Sequence, residues 1–312
     1  MKVVVTGGTG MIGAGLTRRL VREGCEVSIV AREGSSRLRL RELDSRLRWW
    51  PADVRDADAV RRVIAEAKPD VVYHLASTAF NPPTIHAEDH LQTIVVGTAN
   101  VLEALRDRPE VRIIATGSAA EYGSGAGLRE DAPLHPATVL GAAKAAAGVL
   151  MHTYARAYHM QTVWLRVFTP YGSWERPGRL IPATILSALQ GREVRLTDGV
   201  QSRDFFHVDD LVRALALAGR TSLPAGSTLN LCSGTAVRVW EVVERILGLM
   251  GHPVRALFGA LARRPDEILE SSGDNSAARR LLGWIPEIGL DDGLRRTIEW
   301  FRENRQLAQQ LP

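Results

Sequence analysis

A chain of 312 residues, 45% hydrophobic and 24% charged, is long enough to bury a large core and is ordinary globular material. Its formal charge of +4 comes from arginines spread over helical stretches rather than from one basic block, which reads by default as solvated helix faces and favours small anionic ligands only slightly, nucleic acid less. Two cysteines, Cys25 and Cys232, with no CxxC and no metal-ligand spacing, suggest a reduced setting and no metal centre, and no apolar run approaches the roughly 20 residues of a membrane span.

Lys2 leads directly into the first strand, so no signal peptide is expected and the chain reads as cytoplasmic, with no membrane partner. Val3, Val4 and Val5 form a β-branched run, and Met11 to Glu23 has helical apolar spacing (Ile12, Leu16, Leu20). Between them lies Thr6-Gly7-Gly8-Thr9-Gly10. Strand, glycine turn and helix bring backbone N–H groups and the positive end of a helix dipole to one point, which suits a pyrophosphate. Gly7 allows the tight turn, Gly10 the approach of phosphate, and Gly13 the close packing of helix on strand.

Further strands are expected at Cys25–Ala31, Leu47–Trp50, Asp70–Leu75, Arg112–Thr116 and Thr162–Val167. Helices are expected at Asp56–Ala67, Ala87–Asp107 and from Pro136 through Lys144 to Tyr158. This alternation predicts an α/β fold, a Rossmann-type doubly wound parallel sheet with its ligand at the strand ends. Beyond Tyr171 the order loosens, so residues 1–170 are read as a dinucleotide-binding domain and 171–312 mainly as a smaller substrate-binding lobe, with 203–235 returning to the first domain.

Several separated segments resemble one family, the extended short-chain dehydrogenases/reductases of the nucleotide-sugar epimerase/dehydratase type. They are TGGTGMIG (6–13), ADV (52–54), HLAS (74–77), GSAAEYG (117–123), LRVFTPYG (165–172), RDFFHVDD (203–210), NLCSG (230–234), RRPDE (263–267) and LGWIPEIGLDDGLRRTIEW (282–300). The resemblance implies that Gly7, Gly10, Met11, Ile12, Gly13, Asp53, Val54, Leu75, Ala76 and Ser77 bind the cofactor, with Asp53 on the adenine. It places the hydroxyl of Ser118 on the reacting oxygen and Lys144 on the nicotinamide ribose. It assigns Thr169, Arg176, Arg203, Arg264 and Glu267 to the nucleotide-sugar, the last three at its diphosphate and ribose. His74 and Tyr122 are expected to pack in the interior.

Four departures from the family pattern matter. The general acid/base tyrosine, four residues before the lysine, is replaced by Leu140, so Ser118, Thr138, His135, Glu121 or a water would have to move the proton, unless a hydroxyl from the C-terminal lobe does. Ile94 stands where relatives often carry Asn, and Ala119 and Ala120 stand where dehydratases keep an Asp-Glu pair, which argues against 4,6-dehydration. At the end of the second strand, Ala31 and Arg32, with Ser35, Ser36 and Arg37 nearby, replace the acid that binds the ribose hydroxyls of NAD, which favours NADP(H).

The expected activity is reduction of a nucleotide-linked 4-keto-6-deoxysugar. The alternatives are a nucleotide-sugar 4-epimerase, since VFTPYGSWERPG (167–178) resembles the loop in which uronic-acid epimerases would set Arg176 against a carboxylate, and a cofactor-binding protein with little activity. Trp174, Phe205, Phe206 and His207 are expected to shape the pocket. The helices 87–107 and 136–158 could pair with their copies as a four-helix bundle, making a homodimer.

Overall fold

The computed structural model describes residues 1–78 and 86–311. In chain order the first half comprises β1 (Lys2–Thr6), α1 (Met11–Arg22), β2 (Glu26–Ala31), β3 (Arg48–Pro51), α2 (Ala57–Ala67), β4 (Val71–His74), α3 (Ala87–His90), α4 (Gly97–Ala104), β5 (Arg112–Ser118), β6 (Gly125–Leu128), α5 (Val139–Tyr158) and β7 (Thr162–Val167). Then come β8 (Thr169–Tyr171), α6 (Leu180–Leu189), β9 (Val194–Arg195), β10 (Ser202–Arg203), β11 (Phe205–His207), α7 (Val208–Ala218), β12 (Ser227–Leu231), β13 (Val237–Arg238), α8 (Val239–Leu249), β14 (Ala256–Leu257), β15 (Glu270–Gly273), α9 (Ser276–Leu282), α10 (Leu290–Glu303) and α11 (Arg305–Ala308).

Seven strands form a parallel sheet in the order β12-β7-β5-β4-β1-β2-β3. Because β1 lies inside the sheet, it is buried on both faces, which is why it reads as an unbroken valine run. Val3 and Val5 join the core under α1, α7 and α9, with Leu16, Leu20, Leu211, Leu215 and Leu282. Val4 joins the opposite core, under α2, α4 and α5, with Val60, Val63, Val101, Ala143 and Ala147. A third core of Ile181, Ile185, Val242, Ile246, Leu294 and Phe301 knits α6, α8 and α10 together. β12 returns as an edge strand beside β7, and β15 pairs with β6, so the later half is tied back to the first at two places.

Three expected elements shift. The helix expected over Ala87–Asp107 is instead α3, a wider π-type turn over Leu91–Val96, and α4. The Thr98 hydroxyl donates to the Ile94 carbonyl beside that turn, and the helix closes at Ala104 with Leu105 N bonded back to Leu102 O. The helix expected from Pro136 begins at Val139, because Thr138 is extended and caps it. The strand expected to end at Thr116 runs on to Ser118, since Gly117 and Ser118 still pair with Arg166 and Val167.

Candidate active site

β1 is flanked by β2 on one side and β4 on the other, so connections leave its C-terminal end in opposite directions and open a crevice there. Gly7 has a φ of 69°, and a Cβ on it would stand 2.6 Å from the carbonyl carbon and oxygen of Leu75. A Cβ on Gly13 would lie 2.3 Å from Gly7 O. Gly10 caps α1 with no side-chain hydrogen bond, and the first turn carries no acid, which leaves the N–H groups at Met11 and Ile12 to an anion. This glycine cradle, which any side chain would fill, fits a dinucleotide diphosphate.

Behind the turn, Thr6 Oγ1 accepts from Ala76 N at 3.2 Å and pairs with His74 Nδ1 at 2.8 Å. Leu75 N donates to Thr6 O, so Leu75–Ser77 run alongside the turn. His74 is buried, and burial together with the Lys144 charge pushes its pKa down to about 3, so it is a neutral packing residue.

At the adenine end, Asp53 accepts three hydrogen bonds from Arg55, at 2.9, 3.0 and 2.8 Å. Burial pushes its carboxyl up, but the bonds from Arg55, with the charges of Arg55 and Arg32, outweigh this and hold it below its ordinary value. Arg32 itself is exposed at the end of β2. Asn100 Nδ2 donates to Val54 O at 2.8 Å and pins the Asp53–Val54 turn. Sequence reading missed that residue.

Ser118 ends β5, where its Oγ accepts from Ala120 N at 3.1 Å. Lys144, 6% exposed, donates from Nζ to Thr116 O at 2.6 Å. Burial pushes its pKa down to about 8 against the pull of Glu121. As placed, Lys144 is directed at the β5 backbone. Thr138 Oγ1 accepts from Gly141 N at 3.0 Å and so works as a helix cap. Leu140 packs, partly buried, against the apolar core under α2, α4 and α5, of which Ile94 is a buried member. A Cβ on Gly141 would stand 2.3 Å from Ala120 O, which shows how closely α5 abuts the segment after Ser118.

Glu121, fully buried, accepts from Ser118 N (2.7 Å), Trp164 Nε1 (3.1 Å) and Arg166 Nε (2.8 Å). Arg166 also donates to the Tyr122 hydroxyl at 2.7 Å, which donates in turn to Asn230 Oδ1 at 2.8 Å. Glu121 is therefore an ion-paired anchor for the Ser118 backbone and is not placed as a proton relay; Tyr122 is interior, as expected. His135 is exposed, with its carbonyl packed on Gly123.

Arg203 and Arg264 converge on one carboxylate, Glu267, at 2.6 and 3.3 Å. Thr169 N donates to Asp204 O on the neighbouring strand β11's approach. Asp204 accepts from Ser233 N and Oγ, Gly234 N and Gly273 N, and Asp210 from Glu287 N, Ile288 N and Arg213. The acids of the 203–210 segment thus organise loops. Phe205, Phe206 and His207 are buried, Phe206 edge-on to Trp284 and His207 edge-on to Tyr171, so they pack rather than line a pocket. Trp174 lies on Trp300 of α10 with ring centres 4.9 Å apart.

Residues 3–232 match the NAD dependent epimerase/dehydratase family. The chain belongs to that family. It is 31% identical to a UDP-glucose 4-epimerase of Mycolicibacterium smegmatis, over 98% of this chain and 100% of the relative. It is 29% identical to a dTDP-glucose 4,6-dehydratase of Neisseria meningitidis, over 97% and 94%. Among solved structures, the UDP-glucose 4-epimerase of Thermotoga maritima with UDP-glucose is similar at a TM-score of 0.90 and 25% identity, covering 98% and 100%. MoeE5, in complex with UDP-glucuronic acid and NAD, is similar at a TM-score of 0.86 and 30% identity, covering 97% and 100%.

Proposed function

We propose that the chain transfers hydride at C4 of a nucleotide-linked sugar, acting as an NADP(H)-dependent ketoreductase of a 4-keto-6-deoxysugar. The observation that carries the cofactor choice is the end of β2. Ala31 and the exposed Arg32 offer no carboxylate to ribose hydroxyls, and the nearby Asp53 is occupied by Arg55. A cationic rim accommodates a 2′-phosphate, and a reduced phosphorylated cofactor suits net reduction.

In this reading residues 1–170, with the returning 203–235, hold the cofactor and 171–312 hold the nucleotide-sugar. Gly7, Gly10, Met11, Ile12 and Gly13 take the cofactor diphosphate; Asp53 and Val54 take its adenine, and Leu75, Ala76 and Ser77 pass beneath its ribose. The nicotinamide, when bound, supplies the hydride. Ser118 holds the C4 oxygen, and Lys144 raises the positive field behind β5. The proton reaches the oxygen from water or through Ser118, because Leu140 has none to give. Arg203 and Arg264, held ready by Glu267, grip the sugar diphosphate. Ala119 and Ala120 have no group to protonate or deprotonate a sugar, which speaks against dehydration.

A second reading is a 4-epimerase that retains its nicotinamide cofactor. Arg176, in the 167–178 segment that resembles that of uronic-acid epimerases, favours it, with a uronic-acid carboxylate against Arg176, as does the likeness to MoeE5. In either case a homodimer is proposed, with the 87–104 helices and α5 packing against their copies.

The test follows NADPH and NADH oxidation with dTDP-4-keto-6-deoxyglucose, in the native chain and in Leu140→Tyr. Steady NADPH consumption by the native chain is expected, faster in the variant by up to ~10²–10⁴, the usual worth of one acid/base group. If neither protein consumes either cofactor while UDP-sugar epimers exchange, the ketoreductase is replaced by the epimerase. If neither reaction occurs in either protein, a binding role replaces both.

A further inference from the structure

Arg39 lies in the short 3₁₀ segment Leu38–Arg46 between β2 and β3, and it is 3% exposed. Its Nε donates to Trp174 O at 3.1 Å, and its Nη1 donates to Thr9 O at 3.2 Å. Thr9 is in the glycine turn; Trp174 is in the loop after β8, two residues before Arg176. One guanidinium therefore joins two carbonyls, from the turn assigned to the cofactor and from the loop assigned to the sugar.

The surroundings hold this bridge rigidly. The Arg39 carbonyl accepts from Arg18 Nη2, while Arg18 pairs with Glu42 at 2.6 Å and lies 4.8 Å over the Trp174 ring. Trp174 has a φ of 67°, a conformation that a side chain adopts only when its neighbours impose it, and its ring is fixed on Trp300. Among the described residues no carboxylate pairs with Arg39, and burial, then Arg176, then Arg18, push its pKa down to about 10. A buried cation bonded only to carbonyls is costly on its own and is favoured by an anion arriving nearby. The start of α1, two residues past Thr9 and with no side-chain cap, is where such an anion would arrive.

We propose that Arg39 is a positioning strut that couples the two ligand sites, so that dinucleotide on the glycine turn and nucleotide-sugar under the 172–179 loop each tighten the other. The strut rests on the functional reading above only for the identity of the two sites. A dinucleotide diphosphate supplies the missing counter-charge and fixes Thr9, the fork carries that position to the Trp174 carbonyl, and the loop bearing Arg176 is held closed. Lysine, with one point charge and no planar fork, could not keep two carbonyls at a set spacing.

Calorimetric titration of the whole chain tests this with NADP⁺ or NAD⁺ as one probe and UDP or dTDP as the other, each measured alone and with the other saturating. In the native protein each probe should tighten the other by roughly fivefold or more, by the same factor in both directions, as linkage requires. In Arg39→Met that factor should fall to near one. Arg39→Lys, which keeps the charge and the stem, should lose the coupling as well and serves if Arg39→Met does not fold. Independent binding in the native protein, or coupling that survives in both variants, overturns the strut while leaving the two sites in place. Failure of the native protein to bind either class of probe overturns the functional reading instead, and the strut with it.

Discussion

Glu175 is a carboxylic acid placed where a neutral group would sit more comfortably. It is 6% exposed, its Oε2 is buried with no hydrogen-bond partner among the described residues, and Arg179 reaches Oε1 only at 3.5 Å. Burial pushes its pKa up to about 7, against the weaker pull of Arg179 and of the Gly172 backbone. The folded value lies above the unfolded one, so the native state binds more protons between about pH 4.5 and 7, and stability from this group is lost as pH rises through that window. Glu175→Gln should therefore raise Tm at about pH 8 by ~2–5 °C and change little near pH 4.5. Thermal unfolding at the two pH values checks it; a lower Tm at pH 8, or an equal rise at both, would show that ionised Glu175 has a partner worth keeping. Lys144 is the mirror case, a buried base held down to about 8, and its strain is retained at the site where the proposed chemistry needs positive charge. Neither feature could be read from the sequence, where Glu175 is one acid among 35 acidic residues and nothing reports its burial.

Local order decides how much of each element was legible. The β1 turn was readable because every part of it lies within thirteen consecutive residues: apolar run, glycines at fixed offsets, helical period. Its steric logic gives a prediction. Gly13→Ala would drive a Cβ to 2.3 Å from Gly7 O and 2.7 Å from Gly8 Cα, both backbone atoms of the turn that cannot swing aside. NAD(P)⁺ affinity should fall at least about tenfold, roughly 1.4 kcal/mol, with far-ultraviolet circular dichroism unchanged. Unaltered affinity in titration calorimetry would remove this turn from the site. By contrast, the strands β9, β10, β13 and β14 are two residues long and carry no period for a sequence reading to find. The π-type turn at Leu91–Val96 keeps a helical apolar pattern, so it hid inside the longer helix expected there. The knots that fix the site, Glu121 with Arg166, Asp204 with Ser233 and Arg39 with Thr9 and Trp174, join residues about 30 to 135 positions apart. Such pairs leave no trace in local spacing.

At the scale of the whole molecule, no helix among the described residues is long and apolar enough to cross a membrane, yet two adjacent helical stretches carry exposed large apolar side chains. Leu91, Val96, Val139, Val149 and Tyr158 are all exposed, Val149 at 58%, and all lie on the helical stretch 87–104 or on α5. Those helices pack on each other over the α2–α4–α5 face of the sheet, and α5 turns Lys144 inward from the same helix that turns Val149 outward. A copy docked here would cover the apolar side chains and brace, from outside, the helix that carries Lys144. Stable association of this kind needs about 1,200–2,000 Å² of buried surface, more than scattered side chains supply, so the two helices must meet their copies along much of their length. Light scattering after gel filtration at ~10 µM should give twice the chain mass of 34.2 kDa. Val139→Glu with Val149→Asp should reduce it to the single-chain value, because burying two unpaired carboxylates at an interface is strongly unfavourable. Both side chains are exposed within one chain, so the variant should keep its native Tm unless it loses the partner's contribution. A native protein that runs at 34.2 kDa, or a double variant that still runs as a pair, would exclude this face as the contact and leave its apolar side chains exposed to solvent.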